Sequence, residues 1–129
     1  MRAALLAAVA LAGCAGEPPC VELPADCTPQ YAPTFAEVHR RTLRPGCAQA
    51  GGACHASDGA RGGLDLEDLD AAYTALVEGA RVIPGDAACS PLMVRIESTE
   101  RRFAMPPGAP LAPEVRCTIR RWIEAGAPR

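Results

Sequence analysis

Apolar positions along the chain recur with helical spacing and nowhere alternate long enough to suggest a strand. Phe35, Val38 and Leu43 form a sparse apolar stripe. Thr34 followed three residues on by Glu37 is the signature of a capping box, and Pro45-Gly46 predicts where that first helix stops. Leu69, Tyr73 and Leu76 sit at i, i+4 and i+7, so a second helix is predicted from about Asp68 to Glu78, with Gly79 as its stop. Ser90-Pro91 supplies an N-cap and a first-turn proline for a short third helix carrying Leu92, Val94 and Ile96. Val115, Ile119 and Trp122 line one face of a fourth, starting near Pro113-Glu114, running to about Ala125 and closed by Gly126. The pattern predicts an all-α fold, a small bundle of about four helices. Phe35 and Val38 of the first helix pack against Ile119 and Trp122 of the last. Residues 47–63 and 99–112 read as loops, and Val82-Ile83-Pro84-Gly85-Asp86 as a turn.

The N-terminus follows a different logic. Met1-Arg2 precedes an unbroken apolar run from Ala3 to Ala12, then Gly13-Cys14. The run is too short to span a bilayer, and its flanks are those of a secretory signal. The ending Leu11-Ala12-Gly13-Cys14 resembles a bacterial lipobox. That implies a signal peptide over 1–13 and lipidation at Cys14, with Ala15 favouring the outer membrane, facing the periplasm or the cell surface. Pro18, Pro19, Pro24, Pro29 and Pro33 prevent a helix from propagating through 14–33, which reads as a Pro-rich, semi-extended tether. The folded domain is then 34–129. A unit of that size has a marginal core, so a covalent staple or a cofactor would help it. Two Phe, two Tyr and one Trp are a thin aromatic supply.

The net charge is −2 and the charges are interspersed, which points away from nucleic acid and from a polybasic membrane patch. Seven cysteines are many for an exported chain of 129 residues. With Cys14 assigned to lipid, six remain, and an even number in an oxidising compartment implies pairing. Proximity favours Cys20–Cys27. If Cys47 and Cys54 carry a cofactor, Cys89 and Cys117 are left for each other; if not, Cys47–Cys54 is a short-loop disulfide.

The candidate chemistry lies in Cys54-His55 and in Met105 of Met105-Pro106-Pro107. A cysteine directly followed by histidine is the second half of the C-x-x-C-H haem attachment signature. Here the upstream cysteine is Cys47, giving C-x6-C-H, with Gln49-Ala50-Gly51-Gly52 small and flexible enough to bulge. No nucleophile elbow, zinc-protease helix or phosphate loop is present, so no enzymatic activity is expected. His39 is most simply an exposed or half-buried helix histidine. The acidic run Asp65 to Asp70 lacks the glycine and spaced ligands of a calcium loop. A zinc site from Cys47, Cys54, His55 and His39 has irregular spacing.

Taken in order, Phe35-Ala36-Glu37-Val38, Cys54-His55, Gly62-Gly63-Leu64-Asp65-Leu66, Val82-Ile83-Pro84-Gly85-Asp86, Ser90-Pro91-Leu92, Met105-Pro106-Pro107 and Ile119 to Ala127 resemble the small cytochrome c domains of secreted bacterial lipoproteins, over about residues 34–127. The resemblance implies a monohaem protein that carries covalent haem c and passes single electrons to redox partner proteins. Cys54 and Cys47 would hold the haem. His55 would be the proximal iron ligand and Met105 the distal one. A carbonyl near Gly62 or Gly63 would take the other ring N–H of His55. The alternative is a haem-free lipoprotein with the same helix order, stapled by disulfides and serving as a structural or interaction module.

Overall fold

The structure, a computed structural model, describes residues 16–49, 52 and 54–129. The signal segment 1–13 and Cys14 lie outside the described residues. Among those described there is helix but no strand, in the predicted order. The domain is a small all-α fold.

The first helix, α1, spans Phe35–Val38 and continues as a π-helix over His39–Cys47. Thr34 caps it as its sequence predicts, its Oγ1 accepting from the Glu37 amide at 3.3 Å. The expected stop at Pro45-Gly46 is overrun. Pro45 offers no N–H to the ladder, yet the wider turn carries the chain two residues further and ends with the Ala48 amide donating to the Leu43 carbonyl at 2.9 Å. Cys47 therefore stands at the end of a helix instead of inside a loop.

The second helix, α2, spans Leu69–Tyr73 and also widens into a π-helix, Thr74–Glu78. Asp68 caps it, its Oδ1 accepting from the amides of Asp70 and Ala71 at 3.0 and 2.9 Å. A proline occupies the first turn of α3, Pro91–Glu97, and of α4, Pro113–Glu124. There the ring removes an N–H that would be unpaired anyway. A 3₁₀ turn, Arg61–Gly63, lies between α1 and α2.

α1 packs on α4 as the apolar stripes require. Phe35, Val38, Ile119 and Trp122 are all buried, and the Phe35 and Trp122 rings are 5.1 Å apart. Tyr73 meets Phe35 edge-on, also at 5.1 Å. His39 joins this cluster at 6.0 Å from Phe35. It is buried, neither exposed nor half-buried as expected, with its Nε2 bonded to the Leu66 carbonyl at 2.9 Å.

Residues 16–33 are irregular, as five prolines dictate, but they do not hang free as a tether. Val21, Leu23 and Tyr31 pack against the core. The Val21 amide donates to the Ala88 carbonyl at 2.9 Å, and the Gln30 amide to Thr118 Oγ1 at 3.0 Å. All four cysteines expected in disulfides are in disulfides, but the pairing is crossed. Cys20 bonds Cys89 and Cys27 bonds Cys117, in place of Cys20–Cys27 and Cys89–Cys117. The cause is the same packing: a segment laid along the domain puts each of its cysteines beside a helix and leaves Cys20 and Cys27 apart.

Candidate functional site

On the other side of the α1–α4 contact the helices part around a cavity of about 420 Å³. That is within the range of small-molecule and cofactor sites. Its wall is mainly aliphatic, with Leu43, Leu66, Leu76, Leu92, Ile96 and Ile119 prominent, and no Phe, Tyr or Trp among the described residues lines it.

Into this one cavity come Cys47, Cys54, His55 and Met105. They arrive from three local structures. Cys47 ends the π-helix, and Cys54 and His55 follow in the loop. Met105 comes from the loop after α3, held by its amide donating to the Arg95 carbonyl at 2.9 Å. Cys47 and Cys54 are both free thiols, half-buried and exposed respectively. Burial pushes the Cys47 thiol above its usual value, and a charge on the neighbouring Cys54 would push it further.

The stretched C-x6-C-H spacing closes on itself. The His55 amide donates to the Cys47 carbonyl at 3.1 Å. In a C-x-x-C-H sequence those two groups are four residues apart, the separation that an ordinary helical turn bonds. The additional residues leave that join closed.

His55 is fixed from three sides. The Arg61 amide donates to the Cys54 carbonyl at 2.8 Å, and the Leu66 amide to the His55 carbonyl at 2.7 Å. The ring Nδ1–H donates to the Leu64 carbonyl at 3.2 Å. The acceptor is thus one residue beyond the Gly62-Gly63 pair that sequence singles out. Those glycines instead make the turn, both with φ near +68°, a region costly for a side chain. With Nδ1 donating, Nε2 carries the lone pair, the tautomer a metal-ligating histidine needs.

Behind this turn stands Arg81. Its Nη2 donates to the Gly62 carbonyl at 2.9 Å and its Nη1 to the Ala75 carbonyl at 3.0 Å, which ties the 60–64 turn to the end of α2. A side chain at Gly79 would meet Arg81 Nη1 at 2.7 Å and the Ala75 carbonyl at 2.2 Å, so the close approach depends on glycine there. Arg61, Arg81 and Arg95 all line the cavity. Neither Arg61 nor Arg81 has a carboxylate partner among the described residues. Arg95 pairs with Glu17, Nη2 to Oε2 at 2.7 Å. Glu17 also lines the cavity, although it belongs to the Pro-rich segment. Sequence reasoning missed Glu17, Arg61 and Arg81, and no local signal marks them.

His39 does not reach the cavity, its Nε2 being engaged by Leu66. No group of three or more His, Cys, Asp or Glu among the described residues is placed to hold a bare metal ion. A histidine, a methionine and two thiols lining one mainly aliphatic cavity are a different donor set, one that would suit a haem.

Fold and site together define a small all-α domain with one mainly aliphatic cavity that gathers two thiols, a histidine and a methionine. The family model for Planctomycete cytochrome C matches residues 52–108, less than half the chain. The match takes in Cys54, His55, the glycine turn, α2, α3 and Met105, and supports a cytochrome c-like domain here. It begins after Cys47 and ends before α4. No curated protein and no solved structure matches the chain.

Proposed function

We propose that this chain is a monohaem c-type cytochrome, a lipoprotein that carries single electrons and catalyses no reaction of its own. One observation carries the reading: Cys47, Cys54, His55 and Met105, scattered over the sequence, line one apolar cavity. A bound haem supplies the one-electron iron chemistry. The chain's residues do the rest. His55, its Nδ1 held by the Leu64 carbonyl, and Met105 would ligate the iron, and Cys54 and Cys47 would hold the haem through thioether bonds. The leucine and isoleucine wall excludes water, while Arg61 and Arg81 suit the propionates. Cys14 is the lipid attachment point, which places the domain at the outer membrane, facing the periplasm or the cell surface.

The test is expression in a host with working haem attachment machinery. A reduced sample with sharp c-type absorption bands and a mass increased by one haem supports the reading. A colourless protein from that host refutes it. A Met105→Ala variant of the coloured protein should keep its haem and bind an added small ligand such as imidazole.

The two disulfides favour one alternative, a haem-free module held by its staples. Cys20–Cys89 and Cys27–Cys117 tie the N-terminal segment to α3 and α4 without any cofactor. Peptide mapping without reductant separates the readings. Cys47 joined to Cys54 in a colourless protein selects the haem-free module.

A further inference from the structure

We infer that the mouth of the cavity is turned toward the lipid surface that anchors the chain, and that this face is a membrane-contacting face. The inference rests on the proposed lipidation of Cys14. Glu17 stands at the rim of the cavity, its side chain 30% exposed and paired with Arg95. It cannot drift from there, because Cys20, three residues on, is bonded to Cys89 at the start of α3, and the Val21 amide to Ala88.

Glu17 lies three positions after Cys14, and three steps along the chain reach at most about 11 Å fully extended. A domain of this size is about 35 Å across. The leash is therefore shorter than the domain's radius. The rim at Glu17 stays beside the headgroups whichever way the body tilts, and the opposite side points to water.

The sequence alone suggests a spacer of some twenty residues between anchor and domain. The packing of residues 17–33 along the protein leaves a spacer of two, Ala15 and Gly16.

The full chain, produced in a host that lipidates it, is placed in phosphatidylcholine nanodiscs containing a lipid with a nitroxide on its headgroup. Broadening of backbone amide signals then reports nearness to the surface. The comparison variant has a Gly/Ser spacer of about 20 residues inserted between Ala15 and Gly16, long enough to free the rim. The amides of Gly62, Arg95 and Met105 should lose most of their intensity in the parent chain and recover it in the spacer variant. Equal intensity in the two, with Cys14 shown by mass to carry diacylglycerol, overturns the orientation alone. A Cys14 without diacylglycerol overturns the anchoring and the orientation together.

Discussion

Two apolar regions of this domain are built from the same helices and end in opposite states. On one side Phe35, Tyr73, Trp122 and His39 pack ring against ring, and Trp122 is fully buried. On the other, Leu43, Leu66, Leu76 and Ile119 are just as buried, yet they wall a cavity of about 420 Å³. α4 serves both, with Trp122 in the filled region and Ile119 in the hollow one. Protein interiors are otherwise close-packed, so a hollow this large beside a filled core marks a place kept for a guest. Phe35, Tyr73 and Trp122, three of the five Phe, Tyr and Trp side chains, are spent on the filled side.

The sharpest way to break the contrast is in the filled region. Trp122→Ala should cost about 3–5 kcal/mol, read as a fall in the urea midpoint. It also leaves the Pro128 carbonyl without the indole N–H that donates to it at 2.8 Å. Next comes the staple behind it. Replacing Cys27 and Cys117 together by Ser should cost about 2–4 kcal/mol, because a long loop is released in the unfolded chain.

Arg81→Ala acts on the turn that holds His55. Removing its two hydrogen bonds should loosen the turn by about 1–2 kcal/mol. Hydrogen exchange at the Arg61 and Leu66 amides should quicken several-fold, while α4 amides hold. The smallest change belongs to the hollow region. Leu111 lines the cavity and is only half-buried. Leu111→Ala should cost under about 1 kcal/mol, since its side chain already faces open space. The same substitution in the haem-loaded protein should cost more, and an equal cost in both forms would mean that the cavity is not where the haem packs.

A pH series sharpens the comparison further. The Cys47 thiol is held above its ordinary value by burial. Its contribution to stability is fully present below the unfolded thiol's pKa of about 8.5 and is lost as pH rises through the higher folded value. Alkylation with iodoacetamide should take exposed Cys54 first, and Cys47 only at more alkaline pH. Simultaneous alkylation at neutral pH would contradict that burial.

The filled region was legible in the sequence and much of the hollow one was not, for a physical reason. Thr34 and Asp68 mark helix starts through side-chain hydrogen bonds to the first amides, Pro91 and Pro113 through a fixed φ and a missing N–H, and the Phe35–Trp122 contact follows from stripes of helical period. Cys54-His55 and Met105 were visible as chemistry before any contact was known. Glu17, Arg61 and Arg81 reach the cavity through the path of irregular chain, which leaves no period to read. The disulfides misled because nearness along the chain stood in for nearness in space. The segment 16–33 looked like a spacer because proline content reports conformation and says nothing about what the segment lies against.

The crossed bonds carry a consequence for how the molecule is made. A chain is synthesised from its N-terminus, so Cys20, Cys27, Cys47 and Cys54 all exist before Cys89 or Cys117. Cys20 must wait 69 residues for its mate and Cys27 must wait 90, or each takes a wrong one. Wherever thiols oxidise quickly, first-come pairing is the wrong pairing. The mature arrangement then depends on exchange among sulfurs, and the yield of correct protein is governed by how fast errors are undone.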